Sequence, residues 1–433
     1  MLDTAFAPGA AAAPAPFGTG SDFLDGAARI GARLCRQALW DGARCTWLGD
    51  AQDVSGGQWV TVHRALGPSL YDGTAGVGLF LARLHAATGE APFRTAARGA
   101  LRQALSRADA VAPPVRVALH AGLTGVAWAL ALAADALGEE DWAEEARGLA
   151  EAIEGAEPHP QAVDVVSGAA GAIPALLFLA GRLDRPSLAE AALRQGDFLL
   201  AQARRGPTGW SWRTIDMPAR ADLTGYSHGA AGIGVALLEL AAATGEGRFR
   251  EGADEAFRYE AACYSPAHGN WPDFRVFGDP AAAPAEPAFS MAWCHGAPGI
   301  ALSRLRAWRL TADPARRAEA EAALAATARS LEPAAAGPSQ GLSLCHGDAG
   351  NAESLLAAAE VLGEPAWRAL PERVGRSALA HFGGGALPWP CGVPGGGETP
   401  ALMLGTAGIG WFFLRLHDPS VPSVLVVTAD GGA

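Results

Sequence analysis

Hydrophobic and polar positions alternate along this chain on a long period. Seven apolar runs recur: Val77 to Leu84, Val126 to Leu137, Ile173 to Leu183, Ile233 to Leu240, Ile300 to Leu310, Asn351 to Leu362 and Ile409 to Leu416. They are apolar on most sides, which predicts helices buried on most faces. Charged stretches with one apolar face lie between them. Examples are Phe93 to Ala108, Asp141 to Ile153, Ser187 to Arg204, Phe249 to Cys263, Pro314 to Leu331 and Ala366 to His381. That pattern predicts outer helices with one wet face.

Each apolar run follows a Gly-x-x-Gly. The seven are Gly73-Thr-Ala-Gly76, Gly122-Leu-Thr-Gly125, Gly168-Ala-Ala-Gly171, Gly229-Ala-Ala-Gly232, Gly296-Ala-Pro-Gly299, Gly347-Asp-Ala-Gly350 and Gly405-Thr-Ala-Gly408. One such motif says nothing in a chain with 55 glycines. Seven at quasi-regular spacing, each opening a similar helix, define a repeat. Alternating inner and outer helices predict an all-α protein: an α/α toroid, a seven-fold double-layer helical barrel. Glycine at the head of each inner helix lets neighbouring backbones approach. A closed ring leaves no boundary for a second domain. Residues 21–433 therefore read as one domain, and the Ala/Pro-rich stretch over 1–20 as a disordered arm.

Composition narrows the partners. Half of the residues are hydrophobic (50%) and only 18% are charged, which excludes global disorder. The net charge is −12 and no basic stripe is present, so no nucleic-acid partner is expected. No apolar run reaches the ~18 residues of a membrane span, and the first twenty residues lack the pattern of a signal peptide. The six cysteines are too sparse for a disulfide scaffold. A reducing cytoplasm is the simplest setting.

The candidate chemistry sits just before the glycine motifs. Two repeats read Trp293-Cys294-His295-Gly296 and Leu344-Cys345-His346-Gly347, and a third reads Tyr226-Ser227-His228-Gly229. Shared register in a closed toroid brings all three to one end of the barrel. Cys294, Cys345 and His346 supply three good ligands for zinc, and three ligands leave the open position of a catalytic site. A thiol bound there is deprotonated and becomes a nucleophile near neutral pH. His295 reads as an adjacent or core residue rather than a ligand. His228 is a candidate general acid/base. Asp164 is placed either to orient His228 or to contact substrate, with a solvated loop position as the bland alternative. His120 is one residue out of register and reads as a packing or rim residue. Tyr71 and Asp72 are candidates to line the same mouth. Cys391, in the loop Pro388-Trp-Pro-Cys391, reads as structural. The Asn270-Trp-Pro-Asp-Phe-Arg275 stretch reads as a loop that shapes a lid.

These residues resemble a known family, the LanC-like lanthipeptide cyclases. The seven glycine motifs, with Ser-His-Gly, Trp-Cys-His-Gly and Cys-His-Gly, carry the resemblance over roughly Leu24 to Val427. Trp47-Leu-Gly49, Leu70-Tyr-Asp-Gly73, Asn270-Trp-Pro-Asp273 and Trp389-Pro-Cys-Gly-Val-Pro394 look most like the C-terminal cyclase domain of class II (LanM) synthetases. The resemblance implies one zinc on Cys294, Cys345 and His346, an acid/base at His228 and an active-site aspartate at Asp164. It implies a dehydrated precursor peptide as substrate, with addition of its cysteine thiolates to dehydroalanine or dehydrobutyrine. Some stand-alone members carry an arginine four residues before the first ligand cysteine; here that place is Ser290. The chain has no room for the dehydratase domain of a full synthetase, so a separate dehydratase is expected. Three alternatives stay open: addition of a small thiol such as glutathione, a different helical toroid such as a prenyltransferase or glycosidase, and a zinc-stabilised peptide-binding scaffold.

Overall fold

A computed structural model describes residues 21–55, 58–278 and 284–431. The arm expected over 1–20 lies outside the described residues. Seven inner helices follow the seven motifs: α2 (Thr74–Thr88), α4 (Leu123–Leu137), α6 (Ala169–Arg182), α8 (Ala230–Thr244), α10 (Ala297–Thr311), α12 (Asp348–Leu362) and α14 (Thr406–His417). Seven outer helices cover them: α1 (Ser21–Gln37), α3 (Ala91–Ser106), α5 (Asp141–Glu154), α7 (Ser187–Gln202), α9 (Gly247–Cys263), α11 (Pro314–Ala336) and α13 (Ala369–Phe382). Each inner helix packs on the next inner helix, and α14 packs on both α1 and α2, which closes the ring. The fold is the α/α toroid that the repeat predicts.

The first glycine of each motif is the N-cap of its helix. The second packs on a backbone carbonyl six residues earlier. A Cβ at Gly125 would collide with the Leu119 carbonyl oxygen, and one at Gly350 with that of Leu344. The motif is therefore a close approach of helix to preceding turn, repeated seven times.

Those preceding turns join in a closed belt of backbone hydrogen bonds. Tyr71 N–H donates to His120 O at 3.0 Å, Ala121 to Val166 O at 3.2 Å, and Val165 to Ser227 O at 3.0 Å. Ser227 donates to Cys294 O at 3.4 Å, Cys294 to Cys345 O at 3.3 Å, Cys345 to Met403 O at 3.0 Å, and Met403 back to Tyr71 O at 2.9 Å. The belt satisfies backbone groups that would otherwise be buried unpaired. It also sets the side chains of the seven turns in one register around the rim.

Two features fall outside the repeat. Three two-stranded antiparallel hairpins decorate the ring: β1–β2 (Leu39–Asp41, Arg44–Thr46), β3–β4 (Leu48–Ser55, Gln58–Ala65) and β5–β6 (Arg204–Gly206, Gly209–Ser211). The β3–β4 hairpin clamps the loop at 391–400, where Gln52 Nε2 and Thr61 Oγ1 donate to Pro394 O at 3.1 and 2.6 Å. The chain after α14 folds back into the barrel. Val424, Leu425, Val426 and Val427 are buried. Trp293 Nε1–H donates to Leu425 O at 3.1 Å, and Arg306 meets Asp430 at 3.4 Å. This segment forms a floor beneath the belt. No helix among the described residues is long and apolar enough to cross a membrane.

Candidate metal centre and active site

The belt carries Cys294 into α10 and Cys345-His346 into α12. The ligand atoms of Cys294, Cys345 and His346 lie within 4.8 Å of one another. Both cysteines are buried. His346 Nε2 lies 2.7 Å from Gly392 O. A carbonyl only accepts, so Nε2 carries the proton and Nδ1 offers its lone pair to the thiols. Metal-ligating histidines are oriented in this way by an outer acceptor. The two thiols are shifted in opposite directions by the hydrogen bond between them. A hydrogen bond from Cys345 holds Cys294 well below the ordinary thiol range despite its burial, with His346 adding to the effect. Cys345 keeps its proton and is pushed up by that same bond. Tyr71, partly buried beside Cys345, is also pushed up, by its burial and then by the sulfur. Two sulfurs and one imidazole nitrogen, crowded together with their outer contact in place, fit zinc. A cavity of about 480 Å³ opens beside His346, lined by Met291, Ser343, Asn351, Cys391 and Val393.

Across the rim, His228 Nδ1 lies 2.6 Å from Asp164 Oδ2. The other oxygen, Oδ1, accepts from Ser167 N–H at 2.6 Å, so the carboxylate is fixed at both ends. Asp164 is buried, and His228 is about one-quarter exposed, 27% of its side chain. Burial opposes the imidazolium, but the Asp164 carboxylate outweighs it and holds the His228 pKa above the usual value. Nδ1–H is committed to Asp164, which leaves Nε2 as the working nitrogen.

The remaining candidates separate into support and rim. His295 is not part of the metal cluster. It is 1% exposed, neither ring nitrogen has a hydrogen-bond partner among the described residues, and burial pushes its pKa down to about 4. Its ring sits 5.6 Å from that of His228. His120 is likewise buried and held near 4, edge-on to Tyr71 and Trp293. Asp72 accepts from Ser69 Oγ at 2.6 Å. Cys391 is partly buried, 3.8 Å from Thr399 O, and outside the cluster. The Asn270 loop braces the start of α10. Asn270 Oδ1 accepts from Trp271 N and Ala297 N, both at 2.8 Å, and so pins the start of α10.

Sequence reasoning missed two groups. Arg275 is held by Asp273 at 2.9 and 2.6 Å, and Asp273 in turn lies 4.0 Å from His295. Glu260 is buried beneath the His228 turn and accepts from Gly225 N at 3.1 Å and Ala231 N at 2.8 Å. A carboxylate on the apolar face of an outer helix, in step with Phe249, Ala253, Ala256 and Phe257, was the one available signal for Glu260. The loop that carries Arg275 stood out in the sequence, but no register singled out the arginine within it, because the loop lies outside the repeat.

Residues 64–426 match the family described as lanthionine synthetase C-like protein. No curated protein matches the chain in sequence. Among solved structures, nisin cyclase is similar at 16% identity with a TM-score of 0.61, covering 81% of this chain and 89% of that one. A GH76 alpha-mannanase of Bacteroides thetaiotaomicron is similar at 10% identity with a TM-score of 0.52, covering 92% of this chain and 96% of that one. At such identities both likenesses are of fold alone.

Proposed function

Because the chain belongs to the lanthionine synthetase C-like family, we propose that it closes thioether rings in a dehydrated peptide. The observation that carries this reading is the pairing at one rim of a two-sulfur, one-imidazole cluster within 4.8 Å with an Asp164–His228 pair at 2.6 Å. A glycosidase on the same fold would instead need paired carboxylates in the bowl.

Cys294, Cys345 and His346 would hold the zinc. When bound, zinc supplies the positive charge that brings a substrate cysteine thiol to its thiolate form near neutral pH. Gly392 keeps His346 in the ligating tautomer. The thiolate attacks the β-carbon of dehydroalanine or dehydrobutyrine, and a carbon–sulfur bond forms as the carbon–carbon double bond breaks. The electron pair moves onto the carbonyl as an enolate. His228, protonated on Nε2 and aligned by Asp164, delivers a proton to the α-carbon. The proton lost by the thiol is thus balanced by the one gained at carbon, and product mass equals substrate mass. The floor under the rim holds both peptide segments in one bowl, which supplies proximity. A dehydrating reaction on Ser and Thr must precede this one to provide the substrate.

The test uses the zinc-loaded protein and a synthetic peptide bearing one cysteine and one dehydroalanine. Loss of the alkylatable thiol at constant mass supports ring closure. A peptide whose mass rises by an added small thiol supports the small-thiol alternative, and no reaction with retained zinc supports the scaffold alternative.

A further inference from the structure

We propose that Arg275 supplies the positive charge that stabilises the enolate oxygen during ring closure. The inference rests on the cyclase reading and names a residue within it.

Attack at the β-carbon puts negative charge on the carbonyl oxygen next to the α-carbon that His228 must protonate. A fixed cation or hydrogen-bond donor near that oxygen lowers the barrier most when it is already in place. The rim position four residues before Cys294 is Ser290, which cannot supply a charge. Its hydroxyl instead donates to Asp273 Oδ2 at 3.0 Å. Asp273 is the carboxylate that holds Arg275, through Nε at 2.9 Å and Nη2 at 2.6 Å. Ser290 and Arg275 therefore converge on one anchor.

That anchor lies against the site. Asp273 Oδ1 is 4.0 Å from His295 Nδ1, and His295 both follows Cys294 and faces His228 across 5.6 Å. The anchor is closed and the cation open: the Asp273 side chain is 4% exposed and that of Arg275 23%. Asp273 uses only the Nε–Nη2 edge of the guanidinium, so the Nη1 edge remains for a second acceptor. The backbone is held on both sides as well. Arg220 N–H donates to Phe274 O at 2.8 Å, Val276 N–H to Pro218 O at 2.9 Å, and Ala219 bridges to Arg275. An arginine fixed in backbone and side chain suits a group that acts without reorganising. Its charge also opposes protonation of His228, which puts the two within Coulomb reach.

The experiment compares wild type, Arg275→Gln, Arg275→Lys and the double variant Arg275→Gln/Ser290→Arg, all zinc-loaded, on the cysteine–dehydroalanine peptide. Arg275→Gln is expected to lose about 100-fold in kcat with KM within about threefold. Arg275→Lys keeps part of the rate, and the arginine introduced at position 290 restores part of it. Zinc content and the thiolate-to-metal absorption of the cobalt-substituted protein on adding peptide stay as in wild type. The pH inflection of the rate moves up in Arg275→Gln, because a nearby positive charge has gone. A purely structural role would disturb the cobalt signal along with the rate, and that result overturns the proposal. Equal rates for Arg275→Gln and an active wild type overturn it alone. A wild type that closes no rings overturns the cyclase reading and this inference with it.

Discussion

The backbone N–H of Cys294 donates to the carbonyl of Cys345 at 3.3 Å. The two sulfurs thus meet because their peptide units are already paired in the belt, and the metal site inherits its geometry from the ring closure of the fold. Backbone pairing of this kind survives changes to the side chains. Removing a ligand should empty the site without unfolding the barrel.

Cys345→Ser and His346→Ala are expected to lose zinc while keeping the helical circular dichroism of the wild type. Gly392→Ala tests the outer contact. A Cβ there would lie 2.8 Å from His346 Nε2 and 2.6 Å from Ser343 Oγ. It should displace the imidazole and weaken zinc affinity about 10–100-fold, read by chelator competition.

His228→Asn should cost about 10²–10⁴-fold in ring closure with zinc retained. In the proposed reaction the protonated imidazole is the active form, and Asp164 holds its pKa above the usual 6.5. Activity should therefore persist through neutral pH and fall as pH rises past that raised value. Asp164→Asn removes the carboxylate, so the fall should move to lower pH. An unchanged pH profile in Asp164→Asn would rule out this pairing as the source of the shift.

Glu260 gives a stability prediction. Burial pushes its carboxyl up to about 8, from 4.5. The folded state then binds a proton that the unfolded state releases, so stability drops as pH rises from about 4.5 to about 8, by up to about 1.4 kcal/mol per pH unit. Glu260→Gln keeps an acceptor for Gly225 and Ala231 and has no proton to lose. Its denaturant midpoint should match wild type near pH 5 and exceed it at pH 8. Glu260→Ala leaves two buried N–H groups unpaired and should cost about 1–3 kcal/mol for each at acidic pH.

Two glycine-to-alanine changes should have opposite signs. Gly350→Ala drives a Cβ into the Leu344 carbonyl and should destabilise by about 3 kcal/mol. Gly148, exposed in the middle of α5, has nothing within 4 Å of a built Cβ. Gly148→Ala should stabilise by about 0.5–1 kcal/mol through helix propensity. Thermal unfolding of the two variants beside wild type decides this.

The toroid was legible because one physical demand, close approach of a helix to its preceding turn, recurs seven times and leaves a glycine pair each time. The placement of Cys294, Cys345, His346 and His228 on one rim was legible for the same reason, since register in a ring stands in for a contact map. Arg275 was not, because its position depends on a backbone clamp between 218–220 and 274–276 that no periodicity reports. The Asn270 loop reads as a lid from its proline and tryptophan, yet Asn270 spends its amide on the start of α10. The segment after α14 follows the last motif, so its apolar Val424-Leu-Val-Val427 run had no repeat partner to interpret it.

That segment has a further consequence for traffic. With Leu425 hydrogen-bonded to Trp293 beneath the rim, the barrel is a cup and not a tunnel. Under the proposed ring-closing function, a peptide would dip in and withdraw by one opening, as a bight of rope is lowered into a well. Loops already closed elsewhere on it would then never be drawn through a bore, and successive crosslinks could be tied in any order that lets each bight reach the bottom.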